Sequence, residues 1–307
     1  MSKKIIFFGN ERFATGTTSK LLIIKALVNL GYDIEYIVLS QKDINKNKPE
    51  IIDFAINHHI KIIYFENNES LYDQLSKSKT EFAVLASFGR IIPAKILDLF
   101  SGGIINIHPS LLPLHRGPTP LESVILEGQT KTGISIIKLV LKMDSGPIYA
   151  QEPILIKPNI HKQELADMLD QKASELLSQI IDDVTAYKLD PIPQSDNNAT
   201  YDKMIFKKDS LLNPLTHSAI QLERQIRAHE IWPRSLLKIN GIDLIVLKAH
   251  VLEGKIKPGS IYLKNRTFGV GTIDGLLIID ELLPLGKNKM SSKAFLAGYK
   301  DKFFEEI

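Results

Sequence analysis

One strand-like segment places an asparagine and a histidine where both could act on the same substrate. The run Ile104–Leu112 begins with apolar residues and reaches Pro109 directly after His108. Because side chains two positions apart on a strand point to the same side, Asn106 and His108 share one face. Pro109 lacks the amide hydrogen that the strand would use next, so the strand is predicted to end there. In an open α/β sheet, ligands bind at the carboxyl ends of the strands, which makes both residues candidates for catalysis.

A carboxylate follows the next predicted strand. Residues 132–141 have a strand pattern, and Asp144 lies in the loop after them, so we expect Asp144 to meet Asn106 and His108 at neighbouring strand ends. A carboxylate beside an imidazole favours the imidazolium form, and an Asn amide can donate to an oxygen that gains negative charge. Such a trio could catalyse acyl transfer without a covalent nucleophile. The pattern alone leaves a second interpretation open, in which Asn106 and His108 are hydrogen-bonded residues without a catalytic role.

The segments that must position these residues follow the order of an α/β protein. Short apolar runs alternate with amphipathic segments over the first hundred residues, which predicts βαβ units around a parallel-rich open sheet. A long helix is predicted over residues 161–187, because apolar residues recur there at three- and four-residue spacing. A helix is also expected over residues 17–30. The predicted strands are Ile5–Phe8, Ile34–Leu39, Ile60–Tyr64, Phe82–Ser87, Ile104–His108, Thr132–Leu141 and Ile154–Ile156.

The C-terminal third has a different pattern and a different charge. Residues 188–207 contain two prolines and a polar stretch without periodicity, which predicts a linker between domains at 1–187 and 208–307. Short β-like runs after it predict a small β-barrel. Residues 1–200 carry 21 Lys and Arg against 23 Asp and Glu, whereas residues 201–307 carry 17 against 12. The net charges of −2 and +5 favour a polyanionic partner for the C-terminal part, with a merely solvated basic surface as the other interpretation.

Several kinds of chemistry are excluded by composition. The sequence has no cysteine, which rules out disulfides, thiol nucleophiles and thiolate metal sites and fits a cytoplasmic location. No apolar run approaches the roughly 20 residues of a membrane span, so no membrane partner is expected. The pair His58-His59 lacks a third ligand at metal spacing, so no metal is predicted. Ser110 lacks the Gly-x-Ser-x-Gly turn of a serine hydrolase.

A set of motifs resembles one known family. The run Asn106-Ile-His108-Pro-Ser-Leu-Leu-Pro113, followed by Arg116-Gly117 and Asp144-Ser-Gly146, resembles the signature of the folate-dependent formyltransferases. The resemblance implies a Rossmann-like catalytic domain in which Asn106, His108 and Asp144 are catalytic, and it implies 10-formyltetrahydrofolate as the co-substrate. The folate-binding residues that it implies are Ser110, Leu111, Leu112 and Pro113, with Arg90 and Ile92 in a segment similar to the one whose backbone cradles the pterin ring.

The resemblance extends to the C-terminal part. Residues 220–228, Trp232-Pro233 and residues 286–298 resemble the OB-like domain in the branch of the family that formylates methionyl initiator tRNA. This implies that residues 208–307 bind tRNA, that the products are N-formylmethionyl-tRNA and tetrahydrofolate for translation initiation, and that the protein is a monomer. The tRNA-binding residues expected from it are Lys42, Lys46, Lys48, Lys287 and Lys289.

Other functions remain as alternatives. The nearest is an N-formyltransferase that uses the same donor and acts on an amino-sugar nucleotide. A hydrolase that releases formate from the same cofactor and a non-catalytic RNA-binding protein are two others. The segment Gln41–Pro49 is shorter than the family loop that contacts the tRNA acceptor end, and Gly146-Pro147 resembles the purine-pathway branch of the family.

Overall fold

The computed structural model describes residues 3–10, 12–40, 50–264 and 266–304. The chain divides into two compact units. The first unit comprises Met1–Leu121, Thr130–Ile156 and Glu164–Met204, and the second comprises Glu122–Gln129, Lys157–Gln163 and Ile205–Ile307. Most of the segment 188–207 thus belongs to the first unit, and its role as a linker stays a prediction.

The first unit contains a seven-stranded sheet. Its strands are β1 (Lys3–Gly9), β2 (Tyr32–Leu39), β3 (Lys61–Tyr64), β4 (Phe82–Ala86), β5 (Gly103–His108), β6 (Lys131–Lys138) and β7 (Ile148–Leu155). They lie in the order β3-β2-β1-β4-β5-β6-β7. The pairs among the first five strands are parallel, whereas β6 is antiparallel to β5 and β7 is antiparallel to β6. Strands β4 and β5 are almost entirely buried, as their continuous apolar runs predict.

In the described part of the chain, helices follow each of the strands β1 to β5 and the last strand, β7. They are α1 (Leu22–Asn29), α2 (Glu50–Asn57), α3 (Asn68–Leu75), α4 (Ala94–Leu97), α5 (Pro120–Glu127) and α6 (Lys162–Thr185). The predicted start of the first helix at residue 17 is wrong, because Leu21 has a left-handed backbone with φ 57° and the helix begins only after it. The strand predicted at Ile154–Ile156 begins at Ile148 instead. Most of β7 is partly exposed, so it lacks the continuous apolar run that marks the other strands.

The second unit has an antiparallel sheet with its own core. Its elements are α7 (Ala219–Ala228), β8 (Ser235–Ile239), β9 (Ile242–Leu252), β10 (Ile261–Lys264), β11 (Thr267–Gly271), β12 (Leu276–Pro284), β13 (Met290–Ser291) and α8 (Ser292–Phe304). The strand order is β10-β11-β12-β9-β8, and β13 pairs with β12. Helix α7 begins with a capping box between Ser218 and Gln221, and its apolar face contributes Leu222 and Ile226 to the core. The predicted fold class, an α/β unit followed by a β-rich one, is confirmed.

Among the described residues, no helix combines the length and the apolar character needed to cross a membrane.

Candidate active site

Strand β5 presents Asn106 and His108 on one face of the sheet, as the alternation along a strand requires. Both side chains are buried, at 5% exposure each. The Nε2 atom of His108 lies 2.9 Å from the carbonyl oxygen of His115. Because a carbonyl oxygen only accepts, Nε2 carries the proton in this contact, and Nδ1 is left to face the rest of the site.

Asp144 completes the trio. Its Oδ1 atom lies 3.6 Å from Nδ1 of His108 and 3.4 Å from Nδ2 of Asn106. Its Oδ2 atom accepts a 2.9 Å hydrogen bond from the backbone amide of Gly117. One carboxylate oxygen is therefore held by the backbone, while the other faces the amide and the imidazole. The three residues singled out in the sequence are brought together.

The position of Asp144 relative to the ends of the strands differs from the prediction. Strand β6 is antiparallel to β5, and its last residue, Lys138, pairs with Ile105 near the start of β5. Asp144 nevertheless contacts His108 at the other end of β5. The loop after β6 therefore runs back over the face that carries Asn106 and His108. The expectation that Asp144 lies at a neighbouring strand end is wrong, because the sheet changes direction between β5 and β6.

The returning loop is tightly folded. The Asp144 backbone is left-handed, with φ 47°. A Cβ atom on Gly146 would lie 1.7 Å from the carbonyl oxygen of Lys138, so only glycine fits at that position. The amide of Leu139 donates to the carbonyl of Ile104 at 2.7 Å, which fixes the start of the loop on β5.

The segment expected to bind folate follows β5 directly. Ser110 is fully buried, and its hydroxyl donates to the carbonyl of Leu114 at 2.6 Å. The amide of Leu112 donates to Ser135 at 3.0 Å, and the Leu112–Pro113 peptide bond is cis. Leu111 packs so closely on Gly133 that a Cβ there would lie 2.5 Å from the Leu111 side chain. The hydroxyl of Ser110 thus shapes the turn, and a ligand contact from this segment stays a prediction.

The second segment expected to bind folate has mixed exposure. Ile92 is buried in the core of the first unit, whereas its neighbour Ile91 is 78% exposed. The Arg90 guanidinium lies 5.4 Å from the centre of the Phe65 ring, at cation–π distance. The side chain of Ile92 is therefore a core residue, and the implied folate contact of this segment would come from its backbone, from Arg90 or from Ile91.

The lysines expected to bind tRNA are only partly described. Lys42, Lys46 and Lys48 lie outside the described residues. Lys287 and Lys289 are exposed in the second unit, and Nζ of Lys289 pairs with Glu281 at 3.1 Å. The described residues contain no group of three or more His, Asp or Glu side chains that could hold a metal ion.

Sequence reasoning missed a polar network around the buried Arg116, beside the trio. Arg116 is fully buried. It donates from Nε and Nη2 to Oε1 of Gln194 at 3.1 and 2.8 Å, and from Nη1 to Asp196 and the Tyr201 hydroxyl at 2.8 and 2.9 Å. Lys142 also donates a hydrogen bond to Asp196. Lys142 and Arg116 together hold the pKa of Asp196 below its usual range, and Lys142 has the larger effect. Arg116 belongs to the sequence motif after Pro113, but nothing in the sequence connects it with Gln194 or Asp196.

Comparison with known proteins finds one family match in the N-terminal part of the chain and one in the C-terminal part. Residues 36–181 match the formyl transferase family, and residues 204–300 match the formyl transferase C-terminal domain. A methionyl-tRNA formyltransferase from Chloroflexus aurantiacus is 32% identical over 306 residues, which cover 96% of this chain and 96% of that protein. Another, from Thermodesulfovibrio yellowstonii, is 31% identical over 308 residues, and the match covers 97% of that protein.

A solved structure shares the fold at low identity. It is the N-formyltransferase from Helicobacter canadensis in complex with folinic acid and dTDP-3-aminofucose. It matches with a TM-score of 0.70 and 17% identity over 94% of this chain and 100% of that one. The fold and the family matches define a formyl transferase. Within that class, the chain belongs to the methionyl-tRNA formyltransferase family, because relatives above 30% identity match it over nearly its full length.

Proposed function

We propose that this protein transfers the formyl group of 10-formyltetrahydrofolate to the α-amino group of methionyl initiator tRNA, which yields N-formylmethionyl-tRNA and tetrahydrofolate. The observation that carries the proposal is the position of Asp144, with one carboxylate oxygen on the Gly117 amide and the other facing Asn106 and His108. The family supports the reaction class, and the near full-length relatives support tRNA as the acceptor.

The attack on the formyl carbon needs a site for the developing oxyanion. The neutral amine attacks the carbonyl, a carbon–nitrogen bond forms, and the carbonyl electron pair moves to oxygen. Asn106 and protonated His108 are the donors that stabilise this oxyanion. The 3.4 Å contact between Asn106 Nδ2 and Asp144 is long, so the amide is free to turn towards the substrate.

Collapse of the tetrahedral intermediate requires a proton transfer. The attacking nitrogen loses a proton, and N10 of the folate gains one as its bond to the formyl carbon breaks. Asp144, whose Oδ1 atom lies 3.6 Å from Nδ1 of His108, accepts the proton from the attacking nitrogen. A water molecule then passes that proton to N10. N-formylmethionyl-tRNA and tetrahydrofolate leave with no net change in protonation of the enzyme.

The remaining assignments belong to the same proposal. Residues 1–187 act as the catalytic domain, 188–207 as a linker and 208–307 as the tRNA-binding domain of a cytoplasmic monomer. Folate is held by the Ser110–Pro113 turn together with Arg90 and Ile92. The tRNA is held by Lys287 and Lys289 and by the lysines at 42, 46 and 48.

One incubation tests donor, acceptor and reaction together. Purified protein is mixed with 10-formyltetrahydrofolate and methionine-charged initiator tRNA, and N-formylmethionyl-tRNA and tetrahydrofolate are followed together. Both products should appear in equal amounts, and only with charged tRNA. Equal release of tetrahydrofolate without an acceptor would indicate a hydrolase instead. The absence of turnover with charged tRNA, combined with formylation of an amino-sugar nucleotide, would replace tRNA by a sugar substrate.

A further inference from the structure

Among the described residues, the loop that carries Asp144 makes few backbone hydrogen bonds of its own. Residues 139–147 form neither helix nor strand. The backbone bonds that the loop makes lie at its two ends and at the turn from Lys142 to Ser145. Since Asp144 must sit within about half an ångström of its working position to be effective, other residues have to hold the loop.

Gln194 supplies two hydrogen bonds that hold the backbone of the loop beside Asp144. Its Nε2 atom donates to the carbonyl oxygens of Asp144 and Gly146 at 2.8 and 2.7 Å. The two carbonyls lie on either side of Ser145, so a single amide group bridges the backbone of the loop at the catalytic carboxylate. Both hydrogens of the Gln194 amide are used in these bonds.

Arg116 sets the orientation of this amide. A guanidinium only donates, so the Gln194 atom that faces Nε and Nη2 of Arg116 must be the oxygen. The nitrogen of the amide then necessarily faces the two loop carbonyls, which only accept. Because Arg116 is fully buried and its charge is balanced by Asp196, the fork has little freedom to rotate.

The backbone around Arg116 touches the other members of the trio. The carbonyl of His115 accepts from His108, and the amide of Gly117 donates to Asp144. Residues 115–117 are themselves held by residues 200–202. The backbone amide of Arg116 donates to the carbonyl of Thr200 at 2.9 Å, and the backbone amide of Asp202 donates to the carbonyl of Arg116 at 2.8 Å.

We propose that Gln194, oriented by Arg116, is a positioning residue for Asp144, and that the segment 194–202 works as a support of the active site. The inference rests on the proposed formyl transfer. Gln194 does not reach the reacting atoms; it holds the backbone on which Asp144 is mounted. Loss of its amide should let the carboxylate drift from His108 and Gly117, and a displacement of about 1 Å can reduce a rate by up to about 100-fold.

Two variants at Gln194 separate its donors from its acceptor. Gln194→Leu removes both, whereas Gln194→Glu keeps an oxygen for Arg116 and loses the donor to Asp144 and Gly146. We expect each to lower kcat by about 10- to 100-fold, with KM for folate and tRNA changed by less than about twofold. The matched control is Gln74→Leu, because Gln74 is an exposed glutamine in α3 whose only hydrogen-bond partner among the described residues is Ser70. It should keep the wild-type kcat.

A second readout follows the position of Asp144 without any turnover. The amide proton of Gly117 bonds to Asp144, so its NMR resonance should move upfield in Asp144→Ala, in Gln194→Leu and in Gln194→Glu, but not in Gln74→Leu. If the wild-type enzyme formylates no methionyl-tRNA, the proposed function fails, and this resonance still tests the positioning role. Gln194→Glu covers the case in which Gln194→Leu does not fold.

A double-mutant cycle decides whether Gln194 acts through Asp144. In the Asp144→Ala background, Gln194→Glu should change kcat by less than about twofold, because there is no carboxylate left to position. A further tenfold loss in that background would overturn the inference. An unchanged kcat together with an unmoved Gly117 resonance in both single Gln194 variants would overturn it as well.

Discussion

Asn106 and His108 are the two side chains that we expect to face the developing oxyanion, and each can be removed alone. Loss of one oxyanion donor in an acyl-transfer site costs about 10²–10³ in kcat. Asn106→Ala and His108→Ala should each lower kcat by about that factor, since the tetrahedral intermediate loses a donor. Steady-state kinetics with methionyl-tRNA as the varied substrate measure the effect.

The folate affinity of these variants provides the control. The residues expected to bind folate lie in the turn after β5 and in the segment around Arg90, so the Kd for folate measured by fluorescence should stay within about threefold of the wild type. Near-normal turnover in either variant would remove Asn106 or His108 from the catalytic trio. A large loss of folate affinity with unchanged kcat would give them a binding role instead.

His229 is a buried titratable residue outside the trio. It lies at the end of α7, is 3% exposed, and its ring nitrogens have no hydrogen-bond partner among the described residues. Burial, aided by the nearby charge of Lys162 and opposed by Asp209, lowers the pKa of His229 to about 4. Between that value and 6.5, the unfolded chain binds a proton that the folded protein does not, so stability falls as the pH falls.

His229→Phe removes this pH dependence. From the two pKa values, wild-type protein should lose about 2 kcal/mol of unfolding free energy through His229 between pH 7 and pH 5. The variant should lack that loss, so its unfolding temperature should drop less than that of the wild type over the same interval. Calorimetry at the two pH values measures it. Parallel decreases in both proteins would show that His229 is protonated in the folded state.

The loop between β6 and β7 depends on a single glycine. A Cβ on Gly146 would overlap the carbonyl oxygen of Lys138, which is backbone and cannot rotate away. Gly146→Ala should therefore push the loop off β5, separate Asp144 from His108 and lower kcat by at least about tenfold. The assay is formylation of methionyl-tRNA at saturating folate.

Gly298→Ala is the matched control for this substitution. Gly298 lies in α8, and nothing lies within 4 Å of the Cβ that would be added there. Alanine is favoured over glycine in a helix, so this variant should keep full activity and gain up to about 1 kcal/mol of stability. If Gly146→Ala is as active as Gly298→Ala, the loop accommodates a side chain, and the tight return is not needed for catalysis.

The elements around the site were predictable to different degrees. Strand β5 was recognised because its run is continuously apolar and Pro109 ends it, and the Asn106 and His108 alternation follows from strand geometry alone. Strand β7 was largely missed because it is partly exposed. The path of Asp144 was predicted wrongly, since no local pattern reveals that β6 pairs antiparallel with β5.

The contact between Gln194 and Arg116 could not be predicted from the sequence, for a different reason. Gln194 lies 78 positions after Arg116, in a proline-containing segment whose lack of periodicity is typical of a linker. Periodicity reports which side chains face a core, and it carries no information on which two polar residues meet over such a separation. A buried arginine requires charged or hydrogen-bonding partners, but the burial of Arg116 becomes known only with the fold.

The charge difference along the chain predicts that binding of tRNA depends on the salt concentration. Residues 201–307 carry a net charge of +5 against −2 for residues 1–200. Binding of a polyanion to the more basic part should release counterions and weaken steeply as salt increases. The KM for methionyl-tRNA should therefore rise with salt far more than the KM for folate, which is a small co-substrate. Equal salt dependence of the two would argue against an electrostatic tRNA surface.

Individual lysines should contribute unequally to this salt dependence. Lys289 is paired with Glu281, whereas Lys287 makes no ion pair with any described residue, so its ammonium group can meet a phosphate without breaking another contact. Lys287→Ala should reduce the slope of log KM against log salt by roughly 0.7–0.9, the value for one phosphate contact, and Lys289→Ala by less. Lys79→Ala, an exposed lysine of the first unit, is the matched control. Equal slopes for Lys287→Ala and Lys79→Ala would show that the charge of Lys287 is solvated rather than used, and the tRNA surface would then have to lie elsewhere on the basic part of the chain.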